Sequence, residues 1–276
     1  MPTLTQQKRA QFRALHQSGC FVMPNPWDAG SAKVLAQMGF KALASTSAGY
    51  AWSQGYADGQ LGLTPTLEHL RQLARISELP INADFESGFA DTADDVYKHV
   101  GLAIQTGVAG LSIEDSTGHP EKPLRSLEES LGRLCAAREA IDAAGSDVVL
   151  TGRAEHFFVG QPDLDDCLLR LQAYAKAGAD CLYAPGIRTR EQISAVVATV
   201  APKPVNVLIG WDSDLSVAEL EQLGVRRISV GGALARTAWY GFLQAAQQIA
   251  EQGRFGGLAH CTPASELNGR LSSNLD

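Results

Sequence analysis

The chain has 276 residues, of which 45% are hydrophobic, and a formal net charge of -7 at pH 7. Such a chain buries a large core, and it is longer than a typical single domain unless it forms a closed barrel. The acidic balance without clustered Lys and Arg excludes a nucleic-acid-binding surface, and the lack of a membrane-length apolar stretch or signal peptide predicts a cytoplasmic protein that contacts no membrane.

Short apolar runs typical of strands alternate with longer helical segments along most of the chain. The predicted strands occupy residues 20–23, 42–45, 81–84, 110–114, 148–153, 181–184, 205–208 and 227–230. The predicted helices occupy residues 29–38, 66–76, 93–105, 127–144, 164–177, 190–200, 216–223 and 233–251. This alternation predicts a single (β/α)8 TIM barrel over residues 1–276. From about residue 255 the periodicity is lost, so we expect an irregular C-terminal tail.

Acidic side chains stand where several predicted strands end. In a TIM barrel the carboxyl ends of all strands lie at one mouth, where active sites form. Carboxylates without accompanying Cys or paired His favour a hard ion, Mg²⁺ or Mn²⁺, over zinc. The alternative is that some of these acids cap helices or pair with Arg153. The acids at or near the predicted mouth are Asp58, Asp84, Glu86, Glu114 and Asp115.

Groups suited to an anionic substrate occur at the same predicted mouth. Arg153 ends the fifth strand, and its guanidinium fork suits a carboxylate or phosphonate, although a structural salt bridge with Glu86 or Glu114 is the alternative. The segment after the second strand, which we interpret as a loop, offers hydroxyls and backbone N–H groups to an anion. Its residues are Ser45, Thr46, Ser47 and Ala48. No lysine ends a strand, which argues against a Schiff-base aldolase.

Six segments together resemble a known family. They read NPWDAGSAKVLAQMGFKAL, INADFESGF, GLSIEDS, TGRAE, AGADCLYAPG and LGVRRISVGGAL, and they span residues 25 to about 234. In this order they resemble the isocitrate lyase / phosphoenolpyruvate mutase superfamily. The resemblance implies a TIM barrel whose last helix is exchanged between subunits, a Mg²⁺ site, and chemistry through the enolate of an α-keto acid.

The resemblance also implies roles for individual residues. Asp84 would bind the metal directly, and Asp58, Glu86 and Glu114 would assist through water. Arg153 and the residues from Ser45 to Ala48 would hold the carboxylate and the oxyanion of the substrate. Tyr183 stands where several members carry His or Glu after the sixth strand. The other predicted substrate contacts are Trp27 and Asn206.

One loop departs from the family pattern. Isocitrate and methylisocitrate lyases carry a mobile Lys-Lys-Cys-Gly-His loop whose Cys is the catalytic acid, whereas residues 116–123 here read STGHPEKP. The missing Cys argues against an isocitrate lyase, and the short loop argues against a classical phosphoenolpyruvate mutase. His119 and Lys122 remain as candidate general acids or clamp residues in a loop over residues 116–124, with a solvated loop as the alternative.

These observations predict a Mg²⁺-dependent lyase or mutase-like enzyme. Its substrate would be a small α-keto acid or a 2-hydroxy di- or tricarboxylate, with C–C cleavage or decarboxylation favoured. Two alternatives stay open: a mutase or hydrolase acting on the P–C bond of a phosphonopyruvate-like acid, and a barrel that binds anions without turnover. A class II aldolase would normally need a metal bound by histidines, and the six histidines are scattered.

The last predicted helix carries more large apolar surface than a solvent-facing barrel helix ordinarily shows. The alternatives are packing onto its own barrel and the exchange between subunits that the resemblance implies. We favour the exchange, and therefore a homodimer or homotetramer. The large apolar residues are Leu234, Trp239, Tyr240, Phe242 and Leu243.

Overall fold

The structure, a computed structural model, describes residues 2–272 and contains one barrel of eight parallel strands. The strand order is β1-β8-β7-β6-β5-β4-β3-β2, and a 3.0 Å hydrogen bond from the Ala44 N–H to the Pro24 carbonyl joins the two remaining edges. The predicted (β/α)8 barrel is therefore confirmed. The strands are Phe21–Met23 (β1), Leu43–Ala44 (β2), Ile81–Ala83 (β3), Gly110–Glu114 (β4), Val149–Arg153 (β5), Cys181–Tyr183 (β6), Val205–Leu208 (β7) and Arg227–Ser229 (β8).

The helices surround the barrel, and most begin at a Ser, Thr or Asp whose side chain accepts a hydrogen bond from the first helical turn. No helix within residues 2–272 has the length and hydropathy needed to cross a bilayer. The helices are Leu4–Leu15 (α1), Ala29–Gln37 (α2), Ser47–Ser53 (α3), Leu63–Ile76 (α4), Ala93–Gln105 (α5), Leu127–Ala143 (α6), Leu164–Lys176 (α7), Arg190–Val200 (α8), Val217–Gln222 (α9), Ala233–Gln252 (α10) and Ala264–Ser272 (α11).

Three of these helices, α1, α3 and α11, were not expected. The predicted irregular tail instead contains a 3-10 helix at Gly256–His260 followed by α11. Residues 1 and 273–276, which belong to the predicted domain, lie outside the described part of the chain.

Helix α1 covers the end of the barrel opposite the mouth. Phe12 is fully buried there and packs in one cluster with Phe21 of β1. Arg9 donates to the Val108 carbonyl at 3.0 Å, and Lys8 donates to the Ala74 carbonyl at 3.0 Å. Carbonyls left at the ends of helices and loops are thus satisfied by basic side chains of α1.

The interior of the barrel is unusually polar. Side chains that point inward from the strands of a TIM barrel are commonly branched and apolar, whereas here a set of buried polar residues occupies these positions. The buried polar residues are Asn82, Ser112, Thr151, Asn206, Arg227 and Ser229.

Gly110 permits the close approach of α1, because a β-carbon at this position would stand 2.6 Å from Phe12 Cε1.

Candidate active site

A cavity of about 110 Å³ opens at the carboxyl ends of the strands and extends into the polar interior. Most of the predicted site residues form its wall, so the strand-end reasoning brought together residues that are far apart in sequence. These residues are Ser45, Thr46, Ser47, Ala48, Asp58, Asp84, Arg153, Tyr183 and Asn206. Glu86 lies in an adjoining recess that it shares with Asp84.

Arg153 is the centre of the charged groups at this mouth. Its guanidinium lies 3.1 Å from the Asp84 carboxylate and 3.2 Å from the Glu114 carboxylate, and it also pairs with Glu155. Burial lowers the pKa of Arg153, but Glu155 and Glu114 outweigh burial and raise it well above its ordinary value. The structural salt bridge is thus present with Glu114, and Glu155 is a further partner of Arg153 that was not predicted.

Asp84 is held from a second side by the start of α3. Its Oδ2 accepts hydrogen bonds from the Ser47 N–H at 2.9 Å and from the Ser47 hydroxyl at 3.0 Å. Its own N–H donates to the Ser45 hydroxyl at 2.8 Å. The loop predicted here is wrong beyond Thr46, because Thr46 caps a helix whose first N–H contacts Asp84.

Negative charge accumulates around Asp84. Burial, followed by the charges of Asp84 and Asp58, raises the pKa of Glu86 to about 8. Burial, followed by the charge of Asp84, also raises the pKa of Asp58, and burial raises that of Glu114 well above its ordinary value. Glu86 has a φ of 46°, a left-handed conformation that is costly for a residue other than glycine. A bound cation would relieve this accumulation of charge.

The donor set is compatible with Mg²⁺. The groups are carboxylates, which are the ligands of hard ions, and a Mg²⁺ that keeps several waters needs only one or two of them. Within residues 2–272 no three His, Cys, Asp or Glu side chains already converge as a metal cluster. One oxygen of Asp84 is engaged by Arg153 and the other by Ser47.

Two buried residues hold this arrangement from outside the cavity. Asp115 is 1% exposed and accepts hydrogen bonds from the Glu155 N–H at 2.9 Å and the Tyr174 hydroxyl at 2.8 Å. Arg133 donates to the carbonyls of Ala90, at 2.7 Å, and Ser87, in the loop that follows Glu86. Asp115 therefore positions Glu155 and takes no part in the cavity wall.

Besides Glu86 and Glu114, three predicted residues are not on the cavity wall. His119 and Lys122 are exposed, and Lys122 borders a separate depression together with His156. Trp27 lies behind α3, where its β-carbon is 3.0 Å from the position that a β-carbon on Gly49 would occupy. The roles of these three residues in catalysis or substrate binding stay predictions.

Comparison with known proteins agrees with this architecture. Residues 12–250 match the profile of the family described as phosphoenolpyruvate phosphomutase. The oxaloacetate decarboxylase of Rhodopseudomonas palustris (strain BisA53) is 32% identical over 222 residues, which cover 76% of this chain and 72% of that protein. A solved Burkholderia cenocepacia J2315 protein, provisionally assigned as a lyase/mutase, superposes with a TM-score of 0.95 at 43% identity over 98% of both chains. Oxaloacetate acetylhydrolase in complex with its product oxalate superposes with a TM-score of 0.85 at 27% identity, covering 96% of this chain and 94% of that chain.

Proposed function

Since the chain belongs to the phosphoenolpyruvate phosphomutase family, we propose that it is a Mg²⁺-dependent enzyme that decarboxylates oxaloacetate or a similar α-keto acid through an enolate. The observation that carries the proposal is the contact between Arg153 and Asp84 on the wall of a cavity of about 110 Å³. Pockets for drug-sized ligands are about 300–1,000 Å³, so this smaller cavity suits an acid of few atoms. The names of two similar proteins, an oxaloacetate decarboxylase and an oxaloacetate acetylhydrolase, support the same class of substrate.

In the proposed reaction the bond between C3 of the substrate and its neighbouring carboxylate carbon breaks. The electron pair forms a C2–C3 double bond, negative charge develops on the C2 oxygen, and carbon dioxide leaves. Arg153 is buried beside this cavity, where a fixed positive charge stabilises developing negative charge more strongly than it would in water. The wall residues Ser45 to Ala48, with Asn206, would bind the carboxylate that remains.

Mg²⁺ fits the same site. Asp84 would bind it directly, and Asp58, Glu86 and Glu114 would hold its water molecules. The ion would act as a Lewis acid for the carbonyl of the substrate. The raised pKa of Glu86, which follows from burial and from the charges of Asp84 and Asp58, is what a cation at this position would reverse.

Two other functions belong to the same site. One is cleavage of a P–C bond in a phosphonopyruvate-like acid, which the description of the matching family favours. The other is anion binding without turnover, which the loop without Cys favours. Cleavage of a 2-hydroxy di- or tricarboxylate remains a further C–C reaction of the proposed class.

A substrate panel separates these functions. Oxaloacetate, dimethylmalate, methylisocitrate and phosphonopyruvate are each incubated with Mg²⁺ and with wild-type protein or Asp84→Ala. We expect turnover of oxaloacetate by the wild type and its loss in Asp84→Ala. If no acid turns over while oxalate still binds with Mg²⁺, the binding function is supported instead. Activity that needs no Mg²⁺ and survives Asp84→Ala would refute the assignment of the carboxylates.

We propose that α10 packs against another copy of the chain in a homodimer or homotetramer. Of its twenty residues only Ala235 is buried. Except for Leu234, which packs on the barrel core, its large apolar side chains are exposed, with Tyr240 67% and Phe242 59% accessible. A monomer would leave this apolar face in water. Light scattering that shows a monomer at micromolar concentration would contradict the proposal.

A further inference from the structure

The loop that joins β3 to α5, residues 84–92, has an unusual backbone. Glu86 has a φ of 46° and Phe89 a φ of 52°, and within residues 2–272 these are the only residues other than glycine with a positive φ. This conformation is costly for a residue with a β-carbon, and it persists only where the surrounding structure imposes it. The same loop carries Asp84, so the strained backbone lies directly beside the proposed Mg²⁺ site.

The strain at Glu86 is linked to the position of its side chain. Glycine adopts a left-handed conformation without this cost, but the chain has at this position a carboxyl group that lines the recess shared with Asp84. On the barrel side the Glu86 carbonyl accepts a 3.1 Å hydrogen bond from the Glu114 N–H at the end of β4. One side of the strained residue is thus fixed by the sheet, and the other side needs a separate anchor.

Arg133 of α6 supplies that anchor. It is 3% exposed, and its guanidinium donates to the Ala90 carbonyl at 2.7 Å and to the Asp91 carbonyl at 3.2 Å. It also donates to the carbonyl of Ser87, the residue that follows Glu86. An arginine has five N–H donors and no acceptor, so one buried side chain can satisfy all three carbonyls of the loop.

These contacts are strong and have few substitutes. Burial lowers the pKa of Arg133 to about 10, so the guanidinium stays charged at neutral pH, and hydrogen bonds from a charged donor are stronger than those from a neutral one. His99 of α5 makes one further contact, a 2.9 Å hydrogen bond to the Gly88 carbonyl. A buried carbonyl that loses its donor is destabilising, so removal of Arg133 should force the loop to rearrange.

We propose that Arg133 is a positioning residue of the Mg²⁺ site, which holds the strained main chain so that the Glu86 carboxylate can bind the water shell of the ion. The inference rests on the proposed function, in which Glu86 is an outer ligand. Without Arg133 the loop would relax, and Glu86 would leave the conformation that places its carboxyl group beside Asp84. Arg133 does not border the cavity, so its loss should change metal affinity only through the loop.

Titration of the metal-free protein with Mn²⁺ tests this without relying on turnover. Mn²⁺ takes the same oxygen ligands as Mg²⁺, and the EPR signal of the free ion reports how much is bound. Partners outside the direct ligands contribute roughly 10- to 100-fold to metal affinity, and Arg133 acts through such a partner, so we expect Arg133→Met to weaken Mn²⁺ binding by about ten-fold.

Lys8→Met is the matched control. Lys8 is another buried cation, 6% exposed, which donates to the Ala74 carbonyl at 3.0 Å at the opposite end of the barrel. Both variants remove a buried donor from backbone carbonyls, so both should lower the melting temperature. Only Arg133→Met should weaken Mn²⁺ binding, and Lys8→Met should stay within about two-fold of wild type, because its site is far from the metal ligands.

A double-mutant cycle with Glu86→Gln separates positioning from general destabilisation. Glu86→Gln leaves no carboxylate to position, so adding Arg133→Met should then change Mn²⁺ affinity by less than about two-fold. If Arg133→Met does not fold in thermal melting, Arg133→Lys takes its place, because its ammonium can still donate to part of the loop. It should weaken Mn²⁺ binding by at least about three-fold, and only where Glu86 is present.

Three results would overturn the inference: an equal loss of Mn²⁺ affinity in Lys8→Met, a loss in the Arg133 variant that persists in Glu86→Gln, or wild-type affinity in a folded Arg133→Met. If the wild type binds no Mn²⁺ at all, the proposed metal site itself fails, and the inference fails with it.

Discussion

Replacement of Arg153 by methionine should destabilise the protein strongly, because it leaves buried carboxylates without a cation. The Arg153 side chain is 13% exposed, and those of Asp84, Glu114 and Glu155 are 20%, 14% and 3% exposed. Breaking a buried ion pair by removing one partner costs about 3–5 kcal/mol. Arg153 has three such partners, and protonation of the carboxylates limits the total, so we expect a loss of about 3–5 kcal/mol in the free energy of unfolding.

The size of this loss should depend on pH. Burial raises the pKa values of Glu114 and Glu155 even beside Arg153. In Arg153→Met these two carboxyls lose their cation, so the folded state binds more protons than the unfolded state. Stability is then fully present at low pH and is lost as pH rises through the raised pKa values. The variant should therefore be less destabilised at pH 5 than at pH 8. Mg²⁺ should reduce the loss at pH 8, because it supplies positive charge to the same carboxylates.

Urea denaturation of the wild type and the variant at both pH values measures the effect. Arg190→Met is the matched control, because Arg190 forms a 2.7 Å ion pair with Glu219 in which the side chains are 46% and 36% exposed. Exposed pairs contribute about 0–1 kcal/mol. If Arg153→Met lost no more than this control at pH 8, the account of a buried carboxylate cluster held by one arginine would be wrong.

Three further predictions follow from buried or exposed groups elsewhere. Burial lowers the pKa of His69, which is 3% exposed, to about 4. The wild type should therefore lose up to about 3 kcal/mol of stability as pH falls from about 6.5 to 4. In acid denaturation His69→Phe should show a weaker dependence of stability on pH, and an unchanged dependence would contradict this prediction. Gly110→Ala should cost about 1–3 kcal/mol in urea denaturation, because its β-carbon would stand 2.6 Å from Phe12, and wild-type stability would show that α1 moves aside. Tyr240→Asp combined with Phe242→Asp should convert the oligomer to a monomer in light scattering, whereas an unchanged mass would place the interface elsewhere.

The barrel could be predicted because its strands are bounded by local signals. The apolar runs that became β4 and β7 have the predicted bounds, since β4 ends at the acidic pair Glu114-Asp115 and β7 follows Pro204. Helix α1 could not be predicted in the same way. Besides the single buried aromatic Phe12, its contacts with the barrel are made by Lys8 and Arg9, which donate to distant carbonyls, and such long-range partners leave no local periodicity.

The same distinction applies to the site. Asp84, Arg153 and Tyr183 follow or end strands, and the geometry of a barrel places such residues at one mouth. The orientation of the loop that carries His119 depends on packing that no sequence period encodes. Arg227 was missed although a signal existed: polar residues alternate at inward positions in several strands, and a polar barrel interior could have been inferred from them.

Oxalate titration tests the central claim, that the acids at the mouth hold Mg²⁺ beside an enolate site, most directly. Oxalate is a planar dianion that resembles the enolate of pyruvate, and calorimetry can follow its binding to the wild type and to Asp84→Asn with and without Mg²⁺. We predict that the wild type binds oxalate only when Mg²⁺ is present and that Asp84→Asn loses this binding. Equal affinity without Mg²⁺, or wild-type affinity in Asp84→Asn, would contradict the account.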